Sequence, residues 1–214
     1  MADNYLEKRY EEVFGGGHKA SVMTPRKPSL DTLLLRNRSF RGYDKSYVVH
    51  PLQLQAIISV NSKIASSINM QSLRFKPVTK GDEAAAILSH IRMGRALPEL
   101  HLPFPGTEPE AFIVVCTTVK ENPSVDIDLG ISLQSMLLKA VELGLGGLII
   151  RNFDREEIKE ALGLPLDPVA VVAIGRPAEK ISLVPVREGD NLAYYRDGDT
   201  HYVPKIIPED LILK

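Results

Sequence analysis

Arg38 and Arg41 flank Ser39 where a predicted helix, residues 30–37, ends. Guanidinium groups donate paired hydrogen bonds to oxyanions, and a serine hydroxyl can add one more donor. The three side chains are therefore candidate ligands for a phosphate or another oxyanion. A basic turn exposed to solvent is the alternative interpretation of the same residues.

Asn69 and Gln71 form a second polar group, in a turn between a predicted helix and a strand that starts at Leu73. Each side chain carries both a donor and an acceptor, so the pair suits recognition of the edge of a heterocycle. Turns are rich in such residues for structural reasons alone. Taken by themselves, the two residues favour a turn.

Three glycines, Gly144, Gly146 and Gly147, separate a long apolar helix from the short apolar run 148–150. Gly144 is expected to end the helix in a left-handed conformation, which a Cβ atom would hinder. A dinucleotide-binding loop of the Rossmann type is an alternative, but that loop leads from a strand into a helix. Here the order is reversed, which argues against such a loop.

The remaining chemistry-bearing residues show no spacing that indicates a site. The histidines at positions 18, 50, 90, 101 and 201 lack the spacing of metal ligands, so no metal site is predicted. His201 is kept as a candidate for contact with a cofactor or a substrate. The single cysteine, Cys116, lies in an apolar run and is expected to be a buried core residue.

The composition restricts the class of protein. The chain has 214 residues, of which 44% are hydrophobic and 25% charged, as expected of one globular domain. Lys and Arg number 26 against 27 acidic residues, so no overall positive field is available for nucleic acid or an anionic membrane. No apolar stretch reaches the roughly 18 residues of a membrane span, and no hydrophobic signal region is visible. A cytoplasmic protein without nucleic-acid or membrane partners is expected.

The candidate site residues must be positioned by a central helix, because residues 126–143 are apolar on almost every side. The polar residues of this helix form one narrow stripe, and they are Asp128, Ser132, Ser135, Lys139 and Glu142. A helix of this kind is surrounded by other elements or by another subunit. A second helix is predicted after Asp154, where Asp154 and Glu157 have the spacing of a capping box.

Apolar runs rich in β-branched residues predict strands at 111–119, 148–150 and 169–174. Their alternation with helices would ordinarily indicate a parallel sheet. The strand that starts at Leu73 is expected at a sheet edge, because Pro77 has no N–H to donate. The last 30 or so residues have no strong periodicity but several apolar side chains, which indicates an arm that packs on a neighbouring subunit.

These segments together resemble the FMN-dependent nitroreductase family over almost the whole chain. The resemblance is carried by 38–43 (RSFRGY), 67–75 (SINMQSLRF), the central helix with 143–147 and 153–165, and 173–179 (AIGRPAE). The tail residues 195–197 (YRD) and 201–205 (HYVPK) are similar to one subgroup of the family. The chain departs from many members at Asn37, Ser72, Arg176 and Ile206. Arg36, Arg41 or Arg176 could replace the phosphate contacts that these departures remove.

The resemblance implies an α+β fold of three layers, α/β/α, with a largely antiparallel central sheet in an intertwined homodimer. We follow it in preference to the parallel sheet, because element order alone does not fix strand direction. The implied organisation is an N-terminal helix and connector at 1–28, an FMN-binding domain at 29–185, and an arm at 186–214 that packs on the partner subunit.

For function, the resemblance implies an oxidoreductase that binds FMN, takes hydride from NADH or NADPH, and reduces a small-molecule acceptor such as a nitroaromatic or a quinone. The cofactor-binding residues would be Arg38, Ser39, Arg41 and Lys205 at the phosphate, Asn69 and Gln71 at the flavin edge, and Gly146 and Gly147 beside the ring. Glycine at the last two positions would provide a backbone amide and leave room for the ring. The flavin supplies the chemistry, so no catalytic side chain is predicted. The alternative is a protein that binds FMN without turnover, as a sensor or a store.

Overall fold

The computed structural model describes residues 28–94 and 97–213. The N-terminal helix and nearly all of the connector predicted at 1–28 lie outside the described residues. In the part of the chain that is described, no helix is both long and apolar enough to cross a membrane.

A four-stranded antiparallel sheet forms the centre of the fold. Its strands are β1 (Leu73–Val78), β2 (Ala111–Thr117), β3 (Gly146–Ile150) and β4 (Asp167–Gly175), in the spatial order β1-β2-β4-β3. All three neighbouring pairs run antiparallel. β1 lies at a sheet edge, as Pro77 predicted.

The parallel sheet indicated by element order is therefore wrong, and the antiparallel sheet implied by the resemblance is confirmed. β2 and β3 do run in the same direction, as the helix that connects them suggested. β4 is inserted between them in the opposite direction, so every hydrogen-bonded pair becomes antiparallel. Element order could not reveal that insertion.

Helices pack on both faces of this sheet. The described residues form α1 (Leu30–Arg36), α2 (Pro51–Ile58), α3 (Asp82–His90), α4 (Pro123–Glu142) and α5 (Arg155–Ala161). Alternate residues of β2 point to opposite faces, so that Phe112 and Val114 pack with Ile87 of α3, whereas Ile113 packs with Met136 of α4. The three-layer α/β/α architecture is confirmed.

Cys116 belongs to the core, as predicted. Its side chain is buried in the same cluster as Phe112 and Val114. Burial raises the pKa of the thiol to about 11, so the thiol is protonated and unreactive near neutral pH.

The central helix, α4, begins earlier than the sequence indicated because Asn122 caps it. The Asn122 side chain accepts hydrogen bonds from the N–H groups of Ser124 and Val125, at 3.0 and 3.2 Å. The helix ends where it was expected to end. Gly144, just after it, has a φ of +75°, the left-handed conformation that glycine adopts without steric cost.

The N-terminal part of the polar stripe of α4 packs against protein, while apolar residues of the same helix face outwards. Asp128 and Ser132 are 4% and 1% exposed, whereas Ile127 and Ile131 are 63% and 37% exposed. The Asp128 carboxylate accepts from the Ser67 N–H at 2.7 Å, and the Ser132 hydroxyl donates to a side-chain oxygen of the 61–67 segment at 2.5 Å. These hydrogen bonds to the 61–67 segment explain why Asp128 and Ser132 are buried.

The capping box predicted before α5 is wrong. Asp154 is the residue that precedes the helix, but its side chain accepts no hydrogen bond from the first turn. The carboxylate instead lies 3.8 Å from Nδ1 of His90 and 3.4 Å from Nη1 of Arg92. The Asp154 carboxylate thus contacts His90 and Arg92, which come from another part of the chain, and not the backbone N–H groups at the start of α5.

The C-terminal residues form a second sheet. Its strands are β5 (Lys180–Val186), β6 (Tyr195–Asp197) and β7 (Thr200–Ile206), with β7 parallel to β5 and antiparallel to β6. The expected arm therefore contains regular strands, and the boundary predicted after residue 185 falls within a strand that pairs with the tail. Contact of residues 186–214 with a partner subunit stays a prediction.

Candidate functional site

An open cleft lies between the 37–41 turn, α4 and the second sheet. We call it the basic cleft, and its empty volume is about 970 Å³. The residues that line it are Leu34, Asn37, Arg38, Ser39, Arg41, Gln134, Leu137, Ile149, Ile181, Tyr194, His201, Val203 and Lys205. All four residues predicted to bind a phosphate are among them.

Arg38, Arg41 and Lys205 bring three positive charges to the basic cleft, and its lining includes no aspartate or glutamate. The Nε atoms of Arg38 and Arg41 are buried and have no hydrogen-bond partner among the described residues. Burial lowers the pKa of the Arg38 guanidinium, which nevertheless stays charged near neutral pH. Buried donors without acceptors are costly. The other N–H groups of the same two guanidiniums can donate to an oxyanion in the cleft.

Backbone contacts fix the turn that carries the two arginines. Ser39 pairs with Gly147 of β3, and the Phe40 N–H donates to the Gly147 carbonyl at 3.1 Å. The Tyr43 hydroxyl donates to the Phe40 carbonyl at 2.8 Å. Burial raises the pKa of Tyr43 well above its ordinary value, so the phenol keeps the proton that it donates. The central sheet thus positions one side of the basic cleft.

β7 provides the opposite side of the cleft. His201, Val203 and Lys205 alternate along the strand and therefore face the same way. The ring of His201 lies 5.0 Å from the ring of Tyr194, and the guanidinium carbon of Arg41 lies 5.3 Å from the centre of that tyrosine ring. Burial, followed by the charge of Arg41, lowers the pKa of His201. The imidazole is therefore neutral at pH 7, and its ring packs on Tyr194 with only 2% of the residue exposed.

Of the three arginines considered as substitutes for phosphate contacts, Arg41 is the one that lines the basic cleft. Arg176 stacks on Tyr47 instead, with its guanidinium carbon 4.0 Å from the ring centre, and it lies 3.5 Å from the carboxylate of Asp44. Arg36 lines a neighbouring groove. A phosphate contact from Arg41 stays a prediction, and its position in the basic cleft makes it the candidate that we retain.

Gly146 and Gly147 do not leave room for a ligand. A Cβ atom on Gly146 would lie 2.5 Å from a ring carbon of Phe40, and one on Gly147 would lie 2.5 Å from the carbonyl oxygen of Ala173. Glycine is required because neighbouring protein atoms pack directly against β3. The expectation that these positions make space for a ring is wrong, whereas contact through a backbone amide stays a prediction.

Asn69 and Gln71 lie outside the basic cleft. The Gln71 amide donates to Oδ1 of Asn69 at 3.0 Å, and Gln71 lines a second cleft together with Asp128. Asp128 and Leu137, which line the two clefts, are about 14 Å apart along α4. Within one chain, Gln71 and the predicted phosphate ligands therefore line different clefts.

Sequence reasoning missed several residues of the basic cleft. Asn37 donates a side-chain hydrogen bond to Oε1 of Gln134 at 3.3 Å, which connects the basic turn to α4. Gln134 could have been found, since it is a polar residue of the central helix that lies outside the predicted polar stripe. Tyr194 could not, because it lies just before β6 in a part of the sequence without periodicity.

Within residues 28–94 and 97–213, no three His, Cys, Asp or Glu side chains are grouped so that they could hold a metal ion. The prediction that no metal is bound stays a prediction. The polar side chains that line the basic cleft are cationic or neutral, and each can donate a hydrogen bond.

Comparison with known proteins gives a family match. A family model described as the nitroreductase family matches residues 34–176. A search of curated proteins found no match.

Solved structures show the same fold. A nitroreductase family protein from Streptococcus pneumoniae TIGR4 is 15% identical, with 87% of this chain and 99% of that chain covered and a TM-score of 0.62. An FMN and NADPH-dependent nitroreductase from Sphigopyxis sp. strain HMH is 17% identical, with 71% and 89% covered and a TM-score of 0.59. A protein from Exiguobacterium sibiricum 255-15, solved in complex with FMN, is 18% identical, with 71% and 90% covered and a TM-score of 0.57.

Proposed function

The chain belongs to the nitroreductase family, because the family model spans residues 34–176, and from this premise we propose that it is an FMN-dependent oxidoreductase. It takes hydride from NADH or NADPH and reduces a small acceptor such as a nitroaromatic or a quinone. The observation that carries the proposal is the basic cleft, which combines three positive charges with two buried guanidinium Nε atoms that lack partners.

The residues of the basic cleft fit an FMN phosphate. Arg38, Arg41 and Lys205 supply cationic donors, and the Ser39 hydroxyl adds a neutral one. A phosphate carries up to two negative charges, so a lining with three cations and no acids is complementary to it. FMN, when bound, supplies the hydride and electron transfer. The protein's own part is to bind the phosphate and to surround the site with apolar walls, formed by Leu34, Ile149, Ile181 and Val203.

A homodimer is the second part of the proposal. Apolar side chains are exposed on elements next to the basic cleft, and they are Leu30, Leu34, Leu35, Ile127, Ile131 and Ile149. α1 has no buried residue in the single chain, although four of its seven residues are leucine. A symmetric contact between two chains would bury these side chains together.

The same dimer accounts for the position of Asn69 and Gln71. In a symmetric pair, the 68–71 turn of one subunit can lie beside the basic cleft of the other and contact the flavin edge there. The backbone of this turn supports the idea, because Ile68 is β-branched, has a φ of +44° and is 90% exposed. A strained backbone conformation of this kind persists where surrounding structure imposes it, and a partner subunit would provide that structure.

A cytoplasmic location stays a prediction.

The experiment that tests the proposed function is anaerobic titration of the purified, FMN-loaded protein with NADH and with NADPH. We expect a flavin absorption spectrum, bleaching by at least one of the two donors, and steady donor oxidation when a nitroaromatic or a quinone is added. Bound FMN that neither donor reduces would favour the alternative, an FMN-binding protein without turnover. Protein that takes up no FMN would contradict the proposal.

A further inference from the structure

Glu179 lies behind the basic cleft, where the two sides of the cleft meet. Its Oε1 atom accepts hydrogen bonds from the backbone N–H groups of Arg41 and Gly42, the second at 3.2 Å. Its Oε2 atom lies 3.9 Å from Nη1 of Arg196. The side chains of Glu179 and Arg196 are only 9% and 18% exposed.

The groups that contact Glu179 belong to opposite sides of the cleft. Arg41 and Gly42 are part of the turn that presents the two guanidinium groups. Arg196 is in β6, directly opposite His201 of β7, and β7 also carries Lys205. One carboxylate therefore connects the basic turn to the hairpin formed by β6 and β7.

Arg196 is a firm attachment point on the hairpin. Its Nε and Nη2 atoms donate to the carbonyls of Gly198 and Asp199, both at 3.2 Å, and its guanidinium carbon lies 5.0 Å from the centre of the Phe104 ring. The guanidinium is thus fixed to the turn between β6 and β7. The hairpin is therefore connected to the basic turn through the contact of Arg196 with Glu179 and the hydrogen bonds of Glu179 with the N–H groups of the turn.

A largely buried carboxylate is destabilising unless its charge is compensated by hydrogen bonds and an opposite charge. Glu179 has both, and without it two backbone N–H groups would lose their acceptor and Arg196 would lose its counter-charge. The pairing also neutralises Arg196. The positive charge that remains for a ligand is then that of Arg38, Arg41 and Lys205.

We propose that Glu179 is a positioning residue for the phosphate of FMN, which holds the basic turn and the β6–β7 hairpin at the spacing that lets Arg38, Arg41 and Lys205 bind one phosphate. The inference rests on the proposed function. It differs from a general role in stability, because it concerns the affinity for the phosphate and leaves contacts with the flavin ring unchanged.

Comparing the binding of FMN and riboflavin isolates this role, since the two ligands differ only in the phosphate. The variant Glu179→Asp keeps the charge but shortens the side chain, so one carboxylate no longer reaches both Arg196 and the basic turn. We expect the preference for FMN over riboflavin to fall on the order of tenfold, the size of a weakened hydrogen bond to a charged group. The affinity for riboflavin should change little.

A charge-neutral pair of substitutions, Glu179→Ala with Arg196→Ala, should reduce the same preference. Its matched control is Lys180→Ala with Asp199→Ala, which removes an exposed ion pair of 3.3 Å from the same sheet and should leave the preference intact. If the Glu179–Arg196 double variant does not fold, Glu179→Asp decides the question.

An unchanged preference for FMN in a folded Glu179→Asp variant would overturn the inference. Equal losses of FMN and riboflavin affinity would also overturn it, because they would show a general structural role. A wild-type protein that binds FMN no better than riboflavin would contradict the proposed function itself, and the inference with it.

Discussion

Arg38 and Arg41 present their guanidinium groups to the basic cleft, and the Nε atom of each is buried without a partner. We expect Arg38→Ala and Arg41→Ala each to weaken FMN binding by about 1.5–3 kcal/mol, the size of a hydrogen bond to a charged group. Fluorescence titration with FMN measures the loss, and Arg36→Ala is the control because Arg36 lies outside the basic cleft. Normal FMN affinity in the double variant would show that the arginines form only a basic turn.

Because of His201, the free energy of unfolding should decrease as the pH falls. Burial and the charges of Arg41 and Arg196 lower its pKa in the folded chain, and the carboxylate of Glu179 acts in the opposite direction. The unfolded chain therefore binds a proton at higher pH than the folded chain does. The free energy of unfolding falls as the pH drops below about 6.5, the ordinary pKa of histidine.

The melting temperature of the protein without FMN should accordingly decrease from about pH 7.5 to about pH 5.5. The decrease should be smaller in His201→Gln than in the wild type, whereas His101→Asn, which changes an exposed histidine, should keep the wild-type slope. Equal slopes in His201→Gln and the wild type would mean that His201 does not titrate differently in the folded chain.

The presence of glycine at position 147 does not by itself show whether a ligand or the protein approaches the backbone there. Glycine there indicated a close approach, and the structure confirms the close approach but finds protein atoms in place of a ligand. We expect Gly147→Ala to lower the melting temperature, because its Cβ would lie 2.5 Å from a backbone oxygen. Added FMN should still stabilise the variant, since linkage acts wherever the ligand binds. A variant with wild-type stability that has lost only FMN would restore the original interpretation.

At the scale of elements, α4 connects the two clefts and exposes apolar residues that would otherwise be expected inside. Its C-terminal end could be predicted from the apolar pattern and from Gly144, whereas its start at Pro123, after the cap Asn122, was missed. The direction in which its polar stripe faces could not, because Asp128 and Ser132 bond to a polar segment more than 60 positions earlier in the chain. Periodicity identifies a face but not what packs on it.

The exposed face of α4 gives the test of the homodimer. Ile131→Glu would place a charge in the proposed contact, where an unpaired buried charge costs about 3 kcal/mol or more. Sedimentation equilibrium should show dissociation to monomers, together with a loss of FMN. Leu52→Glu, which changes an exposed apolar residue of α2, should remain dimeric. An Ile131→Glu protein that stays dimeric would exclude α4 from the interface.

The second sheet shows the limit of element-level prediction. β5 and β7 contain Pro185 and Pro204, and both strands alternate little between buried and exposed residues. Neither composition nor periodicity therefore indicated strands. Lys205 was recognised as a site residue only through the family resemblance, and its place opposite Arg41 depends on the pairing of β7 with β5.

For the whole molecule, the three layers and the antiparallel sheet followed from the resemblance, because chain order does not reveal that β4 inserts between β2 and β3. The phosphate ligands were predicted as a group and are found together in the basic cleft. Of the predicted contacts with the flavin edge, Gln71 lines a second cleft, and its side chain is hydrogen-bonded to Asn69. A sequence describes one chain, so it does not show which residues a second subunit would bring together.

The central claim is that the basic cleft binds the phosphate of FMN. Its most direct test is the FMN content of purified protein that has been saturated with FMN and then separated from free ligand, measured in parallel with riboflavin. We predict equimolar FMN and chain, with riboflavin largely lost during the separation. Protein that retains no FMN, or that retains FMN and riboflavin equally, would contradict the claim.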